Sequence, residues 1–234
     1  SSGARHRFAN AHAQEQRCAL GNRRVHAVRT LHAVDRRLAG VSGMGVDPVR
    51  DLSLRADPAE VAKVDADARF GGRGPVVLAP TSRWASKRWP AAKWVELARR
   101  LLGRGFGPVA VVGGPGERDQ CAPLLDLAAS DSRVVDLVGQ TSVGGLMAVI
   151  SRARLVVAND SAAAHMTVGF DRPLVALYGP TRTRLVGPYG RDADVIQRVL
   201  PGDDLDHKRD KNVSLMERIG VGEVFGACLT RLAR

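Results

Sequence analysis

The feature that most constrains this chain is a unit that repeats from residue 75 onward: a short apolar run, a polar or glycine-rich turn, then a stretch of helical periodicity. Val76, Val77 and Leu78 open the first unit, and V-A-V-V at 109–112, V-V-D-L-V at 134–138, L-V-V-A at 155–158 and L-V-A-L at 174–177 open the others. Continuous apolar runs of this length suit strands buried on both faces, and the intervening helices supply the crossovers that parallel strands require. Five strands alternating with four helices predict an α/β fold class, a doubly wound, Rossmann-like parallel sheet.

The first connection, S-R-W-A-S-K-R-W-P-A-A-K-W at 82–94, holds Trp84, Trp89 and Trp94 at five-residue intervals. Such a spacing advances an α-helix by about 140° per step, so the indoles cannot share one helical face. Pro90 suits a first helical position, and Trp94, Leu97, Ala98 and Leu101 then recur at i, i+3, i+4 and i+7 before Gly103 and Gly105. Trp84, Lys87 and Trp89 therefore belong to the loop before the helix. Further helices are expected up to about Ala129, from about Val143 to Arg152, and from about Ala162.

Residues 1–70 have a different texture. Helical patterns fall around 11–20 and 26–39, and V-R-D-L-S-L at 49–54 is a strand candidate, without the alternation that would close a domain. The expected organisation is a remnant domain at 1–70, a ligand-binding α/β domain at 75–200, and a tail at 201–234. In that tail the polar stretch Pro201 to Lys211 reads as a solvated loop, and Met216, Ile219, Val224, Cys228 and Leu232 as one face of a terminal helix.

Composition narrows the function classes. No window approaches the roughly 18 apolar residues of a membrane span and no leader opens the chain, so a soluble, cytoplasmic protein is expected. Cys18, Cys121 and Cys228 lack C-x-x-C spacing and read as buried thiols. The formal charge of +11, with Arg5, Arg7, Arg17, Arg23, Arg24, Arg29, Arg36 and Arg37 near the start, suits a phosphate-rich partner. With no helix-turn-helix, RNP or zinc-finger pattern, nucleic acid is not the expected one. The run G-G-P-G at 113–116 does not satisfy G-x-G-x-x-G, Asp136 reads as mid-strand, and no P-loop is present. No histidine pair has metal-ligand spacing, so neither metal nor cofactor is expected.

In an open parallel sheet, ligands bind outside the carboxyl ends of the strands, where helix N-termini present unpaired N–H groups. Thr81, Ser82 and Lys87 follow the first strand, Gly113, Gly114 and Glu117 the second, Thr141 and Ser142 the third, Asp160, Ser161 and His165 the fourth, and Thr181 the fifth. Singly, each has a plain structural explanation: Ser142 and Ser161 as N-caps, Glu117 as a complement to a helix dipole, Lys87 as a solvated loop residue, His165 as a core histidine. Their placement on one rim favours a ligand site.

The motifs P-T-S-R-W-A-S-K-R-W-P at 80–90, V-G-G-P-G-E ending at Glu117, L-V-G-Q-T-S at 137–142, N-D-S-A-A-A-H at 159–165, Y-G-P-T at 178–181 and G-P-Y-G at 187–190 resemble, in order and spacing, the carboxyl-terminal half of family 9 glycosyltransferases. These are the ADP-heptose:lipopolysaccharide heptosyltransferases. N-R-R-V at 22–25 and H-A-V-D-R at 32–36 resemble the later part of that family's amino-terminal domain. The resemblance implies a two-domain GT-B fold and an inverting, metal-independent transfer of heptose from ADP-heptose to the lipopolysaccharide inner core, in the cytoplasm and peripheral to the inner membrane. Carried over by motif, Lys87 pairs with the donor diphosphate beside Thr81 and Ser82, Glu117 approaches the ribose next to Gly113 and Gly114, and Thr141 lies by adenine. Asp160 then contacts donor sugar or diphosphate, Ser161 and Ala162 present N–H groups, and His165 stands close behind.

On this reading Trp84 and Trp89 anchor the loop and so reduce the ordering entropy of Lys87. The family usually has glycine where this chain has Ala162; a need for positive φ there would make the methyl group costly and loosen the donor contact. The family's Gly-Asp loop, which supplies the proposed base, has no counterpart after Ser1, so the catalytic residue is unknown and this stretch is expected to be a fragment. Asp35, Asp47 and Asp51 sit in no motif that nominates them. The expectation is a heptosyltransferase with an intact donor half and a truncated acceptor half. The alternative is a catalytically silent nucleotide-sugar-binding module, and a basic nucleic-acid-binding protein ranks third.

Overall fold

A computed structural model of the chain describes residues 7–8, 15–20, 23–28, 30–208 and 214–233. Its main feature is a six-stranded, all-parallel sheet built from β4 (Val76–Ala79), β5 (Val109–Val111), β6 (Val134–Asp136), β7 (Leu155–Asn159), β8 (Leu174–Tyr178) and β9 (Val195–Gln197). The strand order is β6-β5-β4-β7-β8-β9, with Val76 beside both Val109 and Leu155. The chain moves outward from β4 in one direction, returns to the centre, and moves outward in the other, the doubly wound topology. The sequence predicted five of these strands. β9 was missed because three residues after a short 3₁₀ turn carry too little pattern to register.

Each strand feeds two cores because successive side chains point to opposite faces. Val76, Leu78, Val109, Val111, Leu155 and Val157 face a layer of α3 (Ala91–Gly103), α4 (Arg118–Ser130) and α9 (Val221–Leu232). Val77, Ala79, Ala110, Val156 and Ala158 face α5 (Val143–Arg152) and α6 (Ala162–Gly169). Burial on both sides explains the unbroken apolar runs.

Trp94, Leu97, Ala98 and Leu101 are all buried, as their spacing predicts, and Pro90 is the N-cap rather than the first helical residue. The terminal apolar face is divided between α8 (Ser214–Glu217) and α9, with Met216, Ile219, Val224 and Cys228 fully buried. Cys121 and Cys228 are free, buried thiols; burial pushes each pKa up from 9.0 to about 12.

The amino-terminal part departs from its prediction. Residues 15–20 and 26–28, expected in helices, lie instead in an antiparallel pair, β2 (Glu15–Leu20) and β3 (Arg23–Val28), flanked by β1 (Arg7–Phe8). Residues 11–14 of the first expected helix lie outside the described residues. The local apolar spacing was compatible with both periods, and pairing selected the strand. The second expected helix is realised as α1 (Ala33–Ser42). Residues 49–54 belong to no strand, although the Leu54 N–H donates to the Gly169 carbonyl at 2.8 Å. α2 (Pro58–Ala66) packs on α5, where Arg152 pairs with Asp65 at 2.6 Å.

The loop at 201–208 is tied down more than a solvated stretch would be. Arg218 pairs with Asp203, and the His207 carbonyl accepts from Ser86 Oγ at 2.6 Å. Residues 209–211 of the predicted loop lie outside the described residues. Among the described residues no helix is long and apolar enough to cross a membrane.

Candidate functional site

The winding direction reverses between β4 and β7, so the loops that leave their carboxyl ends diverge and open a crevice. A cavity of about 480 Å³ occupies that crevice and extends across the ends of β5 and β6. Thr81, Ser82 and Lys87 line it from the β4 loop, Gly113, Gly114 and Glu117 from the β5 loop, Thr141 from the β6 loop, and Asp160, Ser161 and Ala162 from the β7 loop. Of the other predicted rim residues, Thr181 lines a second cavity and His165 an adjoining groove of about 580 Å³. His165 is one turn inside α6 and shares that groove with His32 and Tyr189. Its pKa is lowered, first by desolvation and then by His32 and Lys87, against an opposing pull from Asp160.

At the reversal point, Lys87 Nζ lies 2.6 Å from Asp160 Oδ2, and the two side chains are only 12% and 8% exposed. The same oxygen accepts from Thr181 Oγ1 at 2.7 Å. Lys87 ends a 3₁₀ turn, Ala85–Lys87, that is pinned on every side. Asn159, completely buried at the end of β7, donates to the Pro80 carbonyl at 2.5 Å and accepts from the Trp89 N–H at 3.3 Å, so one amide clamps both ends of the loop. The Trp89 indole donates to the Ile219 carbonyl at 3.0 Å and packs edge-on against Trp94 at 5.2 Å. Arg88 Nε donates to the Ser82 carbonyl at 2.8 Å.

Trp84 does not anchor the loop in the core, as the sequence suggested. It is half-buried at the cavity wall, 5.6 Å from the His207 ring, with the Arg83 guanidinium over its face at 5.5 Å. The anchoring falls instead to Asn159 and Ser86. Sequence reasoning noticed the N-D-S run and passed over its first residue, since a strand-ending asparagine reveals no partners until two loops are folded over it.

α6 begins beside this pair without a side-chain cap: Ser161 occupies the N-cap position, but its Oγ makes no cap bond and is a buried oxygen without a hydrogen-bond partner among the described residues. The first N–H groups of α6 thus open onto the cavity, the arrangement that attracts anions. Ala162 sits in the helical first turn and is not among the described residues with positive φ, so the expected strain at its methyl group is absent. Ser142, by contrast, caps α5 by accepting from the Gly145 N–H at 3.0 Å.

At the other end the cavity becomes apolar. Val143 and Leu146, one turn apart on α5, face it beyond Thr141. Glu117 Oε2 accepts from the Gly114 N–H at 2.7 Å, which leaves the second carboxylate oxygen to meet a ligand. A β-carbon on Gly113 would stand 2.9 Å from Thr81 Cγ2, so close packing of neighbouring loops demands glycine there. Asp136 closes β6 rather than lying mid-strand, but its carboxylate is engaged, by Arg118 at 2.8 Å and the Val138 N–H at 2.8 Å. A cation and bare N–H groups at one end, a carboxylate midway and an apolar lip at the other suit an elongated ligand with an anionic segment, a hydroxylated segment and a flat apolar segment.

The sequence model of glycosyltransferase family 9 (heptosyltransferase) matches residues 2–212. Lipopolysaccharide heptosyltransferase 1 of Escherichia coli O18:K1:H7 (strain RS218 / NMEC) is 30% identical over 186 residues, 79% of this chain and 54% of that protein. The chain thus spans about half the length of that curated relative. A solved structure of a family 9 glycosyl transferase from Veillonella parvula DSM 2008 superposes with a TM-score of 0.71 at 23% identity, over 87% of this chain and 60% of that one. The structure of E. coli heptosyltransferase WaaC with ADP superposes with a TM-score of 0.57 at 27% identity, over 82% of this chain and 58% of that one.

Proposed function

Since the chain belongs to glycosyltransferase family 9, the heptosyltransferases, we propose that its β4–β7 crevice binds the ADP portion of ADP-heptose or a related nucleotide sugar. As part of a GT-B enzyme it would pass heptose, with inversion, to the lipopolysaccharide inner core. The observation that carries the reading is the junction of a loop-pinned Lys87 with the uncapped start of α6, where Ser161 Oγ has no partner among the described residues. A diphosphate bearing roughly two negative charges would complete both, drawing Lys87 from Asp160 and accepting from the helix-start N–H groups. Ser82 and Thr81 line its path, Glu117 takes a ribose hydroxyl, and Val143 and Leu146 cover adenine beyond Thr141.

Asp160, released from the ammonium, would turn to a hydroxyl of the donor sugar. An inverting transfer also needs a base at the acceptor hydroxyl. Asp35, which accepts from the Tyr189 hydroxyl at 2.7 Å and pairs with Arg50 at 3.0 Å, and Asp51, which accepts from the Ser53 N–H at 2.8 Å, are both engaged elsewhere, and neither lines this crevice. That favours a second reading of these 234 residues taken alone, a donor-binding module without turnover. Working at the cytoplasmic face of the inner membrane follows from the acceptor and is part of the same proposal. Calorimetry with ADP tests the binding step, since heat-silent mixing at millimolar ADP would refute it. Release of ADP from ADP-heptose in the presence of a lipopolysaccharide-core acceptor distinguishes the enzyme from the silent module.

A further inference from the structure

A second cavity, of about 690 Å³, adjoins the crevice on the far side of Thr181 and is lined by Arg36 of α1 and by Arg182 and Arg184 at the start of α7 (Thr183–Val186). None of these guanidinium groups has a hydrogen-bond or ion-pair partner among the described residues, where more than half of the other arginines are paired. Among the described residues, no carboxylate lines the cavity. Three cations facing one space repel each other unless an anion offsets them, and the planar guanidinium fork matches phosphate and carboxylate oxygens two at a time.

The surrounding contacts hold the arginines there. The ring of His32 packs tilted against Tyr189 at 5.0 Å, the Tyr189 hydroxyl donates to Asp35, and this fixes α1 against the loop after α7. Asp35 is spent on that contact and on Arg50, which leaves Arg36 to the cavity. On the opposite wall Gln197 Nε2 donates to the carbonyls of Gly179 and Thr181 at 2.7 and 2.8 Å, fixing the loop that carries Arg182. Thr181 joins the two spaces: it lines the arginine cavity while its hydroxyl donates to Asp160 in the crevice.

We infer that this cavity seats an anionic group, phosphate or carboxylate, of the saccharide acceptor, with Arg182 and Arg184 as determinants of acceptor specificity. The inference rests on the donor-site reading above, because it places the acceptor across Thr181 from the donor sugar, where transfer needs the reactants side by side. Its size suits a substituted sugar.

The test uses the 234-residue chain saturated with ADP, titrated with a lipid-free lipopolysaccharide inner-core oligosaccharide, in native form and with its phosphates removed and carboxylates reduced. Loss of charge-assisted contacts in R182Q/R184Q should weaken the native oligosaccharide by about tenfold or more. The neutralised oligosaccharide should bind both proteins alike, and ADP affinity should stay within about twofold because neither arginine lines the donor crevice. Equal binding of the native oligosaccharide by variant and parent overturns the inference, as does no binding by the parent, or an equal loss with the neutralised form. If inorganic phosphate alone binds as tightly as the oligosaccharide, the acceptor assignment is likewise wrong. A parent chain that fails to bind ADP would instead count against the donor reading. Both arginines are exposed, so folding is preserved, and R184K, which keeps the charge and loses the fork, should fall between parent and double variant.

Discussion

Lys87→Met separates the functional reading of the crevice from a purely structural one. It keeps most of the aliphatic stem and removes the ammonium that stands 2.6 Å from Asp160 Oδ2. The pair is nearly buried, at 12% and 8% exposure, so solvent screening discounts it little. Without Lys87, Asp160 keeps the Thr181 hydroxyl at 2.7 Å as its side-chain partner, and an uncompensated buried carboxylate costs about 3–5 kcal/mol. The same change removes a charge-assisted bond to the diphosphate, about 1.5–3 kcal/mol, or about 10- to 150-fold in ADP affinity.

Lys87→Met/Asp160→Asn supplies the control. Deleting both charges should restore stability to within about 1 kcal/mol of the parent, since no buried charge is left alone. ADP affinity should remain low, because the cation is still missing. Urea unfolding reads the first quantity and isothermal calorimetry with ADP the second. If Lys87→Met lowers stability as stated yet binds ADP within about twofold of the parent, the lysine is a structural counterion and the diphosphate reading fails.

Other outcomes follow from the same geometry. Glu117→Ala should weaken ADP about fivefold or more while leaving pyrophosphate binding unchanged, because only ADP carries a ribose; parallel titrations of the two ligands check this. Gly139→Ala should destabilise the fold by more than the ~1–2 kcal/mol of a left-handed residue, since φ is +74° and the new β-carbon would meet Pro115 Cα at 2.8 Å; urea midpoints report it. The buried thiols make stability fall in alkali: with folded pKa values of about 12 against 9.0 unfolded, the unfolded chain releases protons first. Their contribution is intact below pH 9.0 and is lost between there and about 12, some 1.4 kcal/mol per thiol by about pH 10. Cys121→Ala/Cys228→Ala should flatten that part of the curve by the same amount. Ala162→Gly should not tighten ADP, because the backbone there is already helical, and calorimetry would detect a gain.

How much of this was legible beforehand depends on the range of the interaction involved. Strands buried on two faces announce themselves as unbroken apolar runs, and a helix packed on one face announces itself by its period; Trp94, Leu97, Ala98 and Leu101 show both the signal and its cause. In a parallel sheet every crossover returns the chain to the same end, so the order of turns alone determined that Lys87, Glu117, Thr141 and Asp160 would share a rim.

Only the folded chain decided which of those residues touch. Strand order placed β4 beside β7 and so made neighbours of Lys87 and Asp160, 73 positions apart in sequence. Asn159 became the clamp of the Lys87 loop, His165 fell in an adjoining groove, and Arg36, Arg182 and Arg184 gathered around a second space. Residues 15–20 and 26–28 joined strands against their helical spacing for the same reason. Local sequence sets periodicity and backbone preference, whereas partners across a sheet or between loops are chosen by contacts whose energy exists only after the intervening chain has closed.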